Sequence, residues 1–331
     1  MFKSMGKRAN VWFFLAVALT VFPLETSRAQ ERKLEPVIMS YSAHVPARVH
    51  LWMARDLGIF AKHGLDLKLV YIAGGPTAVQ ALISGDVQVA QAGGQAVISA
   101  AARGAPLQIF GLSNYTLYVL VGGPTAPTIE ALRGKTVATS RVGAAADFAL
   151  RLVLKKIGLE PNKDVTVRPT GISVSRDRIT LLTQGHYDAT ISSIDEVIDA
   201  QKRGHKLQIL ADSIDLGIVS TEDFTAAKDF LTNRRTAAAA VLRATSEAVA
   251  LAKRDKDLTF KFFNKYLGQR EPWQMETLYQ HSVLRSLPER SGPSPVAVEQ
   301  YMEMLLPTTP TLKGKQAADF INMGPARLAE K

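Results

Sequence analysis

The 331-residue chain contains no cysteine. That absence removes thiol nucleophiles, cysteine-ligated metals, disulfides and the lipidated cysteine that tethers some exported bacterial proteins. A chain of this length can build a core without such staples. Beyond Val21 no stretch is long and apolar enough to cross a bilayer, which takes about 20 residues. Charge of one sign is not gathered anywhere either. Lys and Arg outnumber Asp and Glu by 40 to 30, for a net +10, but the basic pairs Lys202-Arg203, Arg234-Arg235 and Lys253-Arg254 are scattered among acidic neighbours. Such a surface is solvated rather than shaped for nucleic acid, and no nucleic-acid partner is expected. A mild positive field favours anionic ligands.

Catalytic patterns are also missing. The histidines at 44, 50, 63, 186, 205 and 281 form no HExxH and no i, i+4 pair, so no metal site is expected. No serine stands in a GxSxG elbow, no glycines assemble GxGxxG or a P-loop, and no neighbouring carboxylates make a hydrolytic pair. No catalytic residue and no cofactor is therefore expected.

What is present starts with a leader pattern. Lys3, Lys7 and Arg8 form a basic start, Val11 to Val21 is apolar but short, and Ser27-Arg28-Ala29 has the small-x-small form of a cleavage site. Residues 1–29 read as an export signal cut near Ala29, which places the protein free in the periplasm; an uncleaved anchor or a buried helix is the other reading of that segment.

Residues 37–90 and 137–190 then follow one plan at an offset of 100, so that Leu82 answers to Leu182 and Gly85 to Gly185. Each copy opens on an apolar stretch, passes a polar loop and an amphipathic segment ending at Leu57-Gly58 or Ile157-Gly158, then alternates through Leu65 to Leu69 or Val165 to Arg168. Two long copies indicate two similar α/β lobes rather than a solenoid, and a crevice between matched lobes is a ligand site.

Strands are expected at Val37–Tyr41, Leu65–Ile72, Val87–Ala90 and Leu107–Leu112, and helices at Arg48–Ala61, from Pro76 to Ile83 and near Gln95–Arg103. Alternating strands and helices predict mainly parallel sheets covered on both faces. Extended runs at Leu117–Val121 and Leu216–Ser220 are read as two crossings that form a hinge. After Ser220 the pattern is almost wholly helical: Arg235–Arg254, Leu258–Tyr266, Trp273–Leu284, Pro295–Leu306 and Gln316–Met323.

Ligands of parallel α/β sheets lie beyond the carboxyl ends of the strands, near helix N-termini. That rule selects the loops Tyr41–His44, Gly74–Thr77, Gly93–Gln95 and Ser113-Asn114, then Ser140–Ala144, Thr170–Ile172 and Ser193–Asp195. Arg141, beside Ser140 and Gly143, can pair in two-pronged fashion with an anion, or be a surface arginine next to an N-cap serine. Gly75 and Thr77 sit where a ligand approaches closely, or simply where a strand turns into a helix. Tyr41 can stack on a ligand or fill a core. Asp195 can accept from a ligand or cap a helix. His44 lies on a cleft loop.

Several of these phrases together resemble the substrate-binding proteins of ABC importers, in the nitrate/sulfonate/taurine and thiamine-precursor (pyrimidine) branch. The likeness rests on Leu51-Trp52-Met53-Ala54-Arg55-Asp56-Leu57-Gly58-Ile59-Phe60-Ala61-Lys62-His63-Gly64-Leu65, on Ala73-Gly74-Gly75, on Leu82-Ile83-Ser84-Gly85-Asp86-Val87 and on Leu132-Arg133-Gly134-Lys135-Thr136-Val137. It implies a two-lobed type II periplasmic-binding-protein fold with two hinge crossings and a helical C-terminal region. Lobe one would comprise 30–117 and 216–331, and lobe two 118–215. By loop position, ligand contacts would come from Tyr41, Ser42, His44, Gly75, Thr77, Ser113, Ser140, Arg141, Gly143 and Asp195. The implied function is a monomeric periplasmic receptor that carries a small organic, anionic ligand to an ABC permease. A sensor for a signalling membrane protein and a cleft enzyme are the alternatives. The enzymatic relatives use cysteine, which this chain lacks.

Overall fold

The alternating segment of each copy forms a strand paired to the strand that opens the copy, and the offset of 100 survives in the pairing. In the computed structural model, which describes residues 1–2 and 33–331, β1 (Glu35–Tyr41) runs parallel to β2 (Leu65–Tyr71) with Val37 opposite Leu67. In the second copy β6 (Thr136–Thr139) runs parallel to β7 (Thr166–Pro169) with Val137 opposite Val167. The leader read over 1–29 lies outside the described residues apart from Met1 and Phe2. Everything below concerns Lys33–Lys331.

The first sheet has the order β2-β1-β3-β10-β4, with β3 at Val89–Gly93, β4 at Leu107–Tyr115 and β10 at Thr221–Ala227. The second repeats it as β7-β6-β8-β5-β9, with β5 at Val119–Gly122, β8 at Ala189–Ser192 and β9 at Gln208–Asp212. In each sheet one strand is antiparallel to both neighbours, and it is the strand that arrives from the other sheet: β5 after β4, and β10 after β9. The two connections run side by side. Thr116 N–H donates to the Ser220 carbonyl at 2.8 Å, and Ser213 N–H donates to the Tyr118 carbonyl at 2.9 Å.

Helices cover both faces of each sheet, as a parallel-rich sheet requires. On the first sheet α1 (Val49–Asp56), α2 (Ile59–Lys62) and the long α9 (Arg235–Arg254) share a core with Met39, Phe110 and Phe224. Gly111 lets α9 come this close, since a Cβ there would overlap Leu242. On the other face α3 (Gly75–Ile83), α4 (Gly94–Ala102) and α12 (Pro295–Leu305) pack through Val79, Ile98 and Val298. On the second sheet α5 (Ala145–Lys156) covers one face, and α6 (Ser175–Thr183) and α7 (Ile194–Lys202) cover the other. The remaining helices are α8 (Lys228–Asn233), α10 (Lys256–Leu267), α11 (Pro272–Leu278) and α13 (Gly324–Ala329).

Five expectations need correction. The segment Arg48–Ala61 is not one helix: Gly58, at φ +69°, breaks it into α1 and α2 in a conformation that L side chains disfavour. The chain after Ser220 is not wholly helical, because Thr221–Ala227 is an inner strand of the first sheet. Buried on both faces, that strand shows no alternation, and its Glu and Asp are satisfied inside the fold. Leu216 lies in a turn closed by Gly217, so regular strand structure begins only at Thr221. Gln316–Met323 is not a helix: it holds a short 3-10 turn, then Ile321 bridges to Ile109, and α13 follows with Pro325 in its first turn. Ser113 and Asn114 belong to β4, which outruns its apolar core to Tyr115.

Candidate ligand cavity

Loops that leave β1, β7 and β8 meet the end of β4 and the start of β10 around a cavity of about 330 Å³. It is therefore lined from both sheets, and its size is that of a small-molecule pocket. Three helical starts face it: the turn Pro46–Arg48 that enters α1, the first turn of α6 from Ser175, and the first turn of α7 from Ile194. Their free backbone N–H groups favour negative charge at such positions.

The first sheet supplies a buried charge pair. Arg48 is 3% exposed; its Nη1 donates to Asn114 Oδ1 at 2.6 Å, and its Nη2 lies 3.6 Å from Glu222 Oε2. Ser42 Oγ donates to the same carboxylate at 3.0 Å. Burial pushes Glu222 above the usual carboxylate range, against the pull of Arg48 and Ser42. Behind this pair His50, bonded to Ser113 Oγ at 3.1 Å, is driven down to about 3 by burial and by the Arg48 charge, so it is neutral. Asp223, next along β10, points to the opposite face. Thr221 Oγ donates to it at 2.7 Å, and burial lifts it to about 8.

Aromatic rings close one wall. His44 Nε2–H donates to the Tyr266 carbonyl at 2.9 Å, its Nδ1 lies 3.2 Å from Tyr41 OH, and its ring lies 4.9 Å from that of Trp52. Trp52 in turn stacks on Tyr266 at 4.7 Å.

From the second sheet come Arg176, which grips Glu196 through Nε at 3.1 Å and Nη2 at 3.4 Å, and Asp195, a buried carboxyl raised by desolvation. Arg270 faces them from the loop before α11. The loop that carries Ser173–Arg176 is held by Arg178, whose guanidinium is fully buried. It donates to the Ile172 and Ser173 carbonyls at 2.8 and 3.1 Å, to Ser175 Oγ at 3.2 Å and to the Ile191 carbonyl at 3.0 Å. One side chain thus ties the start of α6 to the end of β8.

Of the ten residues selected from the sequence, His44 and Asp195 line this cavity. Tyr41 and Ser42 stand one contact behind it, on His44 and Glu222, and Ser113 lies deeper, on His50. The others gather elsewhere between the two sheets. Arg141 donates to the Gly171 carbonyl at 3.3 Å and to the Ala73 carbonyl at 3.4 Å, and Gln95 Nε2 reaches the Gly143 carbonyl at 3.4 Å. Gly75 packs there against Gly93, Ser140 is buried, and Thr77 is exposed. These residues form a direct contact rather than a cavity wall. Sequence reasoning missed Arg48, Arg176, Glu196, Glu222 and Arg270. Arg176 and Glu196 lie only a few residues past loops the strand-end rule selected; Arg48, Glu222 and Arg270 carry no local signal.

Two matched sheets exchanging one antiparallel strand each, with a cavity between them, define the periplasmic-binding-protein fold. Residues 46–257 match the family described as NMT1/THI5 like, and the chain belongs to that family. Three solved structures show the likeness of fold. The periplasmic aliphatic sulphonate binding protein SsuA from Escherichia coli superposes with a TM-score of 0.70 at 19% identity, over 87% of this chain and 97% of that one. The alkanesulfonate-binding protein SsuA from Xanthomonas axonopodis pv. citri, bound to MOPS, gives 0.69 at 20% identity, over 88% and 99%. The periplasmic nitrate-binding protein NrtA from Synechocystis PCC 6803 gives 0.67 at 15% identity, over 90% and 88%. No curated protein matches the chain by sequence. No helix among the described residues is long and apolar enough to cross a membrane.

Proposed function

We propose that the protein is a periplasmic, monomeric receptor that captures a small organic anion between two lobes and presents it to the permease of an ABC importer. The lobes are 30–117 with 216–331, and 118–215, closing about the two adjacent connections. The observation that carries this reading is the cavity of about 330 Å³ built jointly by loops of both sheets. Family membership and neighbours named as sulfonate- and nitrate-binding proteins support it. So do the three helical starts that face the cavity. A ligand held by both lobes stabilises the closed arrangement by its preference for that state.

The test is thermal unfolding of the protein exported to and purified from a bacterial periplasm, stripped of ligand by unfolding and refolding. Sulfonates, carboxylates, nitrate and pyrimidines are screened in parallel. A ligand at 100 times its Kd adds about 2.7 kcal/mol of stability, and small-angle scattering should show the particle contracting as it binds. A protein that no solute stabilises or contracts is not a receptor of this kind.

A further inference from the structure

The cavity contains hydrogen-bond donors that the protein itself does not use. Arg48 has five N–H groups, yet among the described residues its side chain has one hydrogen-bond partner, Asn114, and its buried Nε has none. The 3.6 Å to Glu222 is a charge contact beyond hydrogen-bond range. Arg270, on the same cavity, likewise has a buried Nε with no partner. Thr116 Oγ, on the connection between the sheets, is a third unpartnered group lining the same space. Leaving a buried charged donor unmade is costly, and an acceptor brought by a ligand removes that cost. Arg176, by contrast, has its Nε and Nη2 committed to Glu196.

We propose, building on the receptor reading above, that Arg48 and Arg270 select the ligand: an organic carboxylate or sulfonate whose oxygens accept from guanidinium N–H groups of both side chains. A cavity of about 330 Å³ has room for an organic body as well as an anionic head. Leu117, Val174 and Ile194 on the walls suit an apolar body. A neutral acceptor fits less well than an anion. The acids that act on these arginines most, Glu222 on Arg48 and then Glu196 and Asp195 on Arg270, are all shifted toward their neutral forms by burial, which leaves the guanidinium charges incompletely balanced.

The experiment is calorimetric titration with matched probes, benzoate against benzamide and 1-butanesulfonate against 1-butanesulfonamide. Wild type is compared with Arg48→Gln, Arg270→Gln and, as a control on the exposed end of α4, Arg103→Gln. An anion should bind at least tenfold tighter than its amide, and Arg270→Gln should weaken it tenfold or more, the scale of a lost charge-assisted hydrogen bond. Arg103→Gln should stay within twofold. Arg48→Gln should behave as Arg270→Gln, and if it fails to fold by circular dichroism, Arg270→Gln alone decides. Unchanged affinity in Arg270→Gln, or amides that bind as well as their acids, overturns the assignment and leaves the receptor standing. So does binding of neither anion when a neutral or cationic solute of the wider screen binds. A protein that binds nothing at all overturns the receptor reading itself.

Discussion

The two copies of the repeat share register and strand order, yet they differ at positions that answer to each other across the offset of 100. Ala78 and Arg178 occupy the same place on α3 and α6, and both are fully buried. Asp223 sits opposite Ala92 in the first sheet, where Val119 sits opposite Ser192 in the second, and each of the pair is 2% exposed. One architecture therefore accepts a methyl or a guanidinium, an acid or a valine, at matched interior points. The charged member appears where a loop or strand must be held for the site. In the first copy the loop into α3 is a short glycine turn that stays outside the cavity; in the second a longer loop, pinned by Arg178, forms part of its wall. Duplication fixes the frame, and side-chain chemistry specialises each half.

The largest effect that would sharpen this contrast is at Arg178. Arg178→Met should cost about 3 kcal/mol or more in urea unfolding, because it strands the buried Ile191 carbonyl, two partly buried carbonyls and a hydroxyl. Ala78→Gly should cost only about 1 kcal/mol, the ordinary helix-interior penalty. Equal losses at the two sites would mean that Arg178 is merely filling space. Hydrogen exchange should rise at 172–176 in the arginine variant and stay unchanged at 72–77.

Asp223 gives the next test. Its folded-state value is raised from 3.8 to about 8 by burial, so the fold holds its proton where the unfolded chain has lost it. The stability it contributes is complete below 3.8 and disappears as pH rises to about 8. His50 works the other way: lowered from 6.5 to about 3, its contribution is complete above 6.5 and fades as pH falls. Between pH 6.5 and 8 only the Asp223 slope should operate among these two. Denaturant midpoints of wild type should fall across that window, and those of Asp223→Asn should fall less. Val119→Ala, its counterpart, should lower stability without changing the slope.

The smallest effects concern what the copies share. Gly58 and Gly158 both close a helix with positive φ, +69° and +80°, and a Cβ at either would meet nothing within 4 Å. Alanine at each should therefore cost about 1 kcal/mol from backbone strain alone. A clear difference between the two would break the equivalence that the repeat asserts.

The strands, the parallel pairing and the helix-rich C-terminal half were legible because they depend on local periodicity. Arg235–Arg254 was read with both ends correct. Inner strand β10 was not legible: flanked by neighbours on both edges, it obeys no alternation, and Thr-Glu-Asp reads as a loop. The strand-end rule named the right loops in kind and reached His44 and Asp195, but it stopped at Ile172, four residues short of Arg176. It also gave weight to Arg141, which spans a contact between the halves rather than facing the cavity.

By itself, then, the amino-acid order determined the duplicated frame, since a repeat in residue type forces a repeat in register and in the glycines that end its helices. The tertiary structure alone decided which charges meet. Arg48, Glu222 and Arg270 are separated by up to 222 residues in the sequence and share one cavity only because of how the chain packs, each sheet taking its antiparallel strand after the edge strand of the other. Local pattern carries the hydrophobic face of an element; which buried charge faces which is a property of the packed whole.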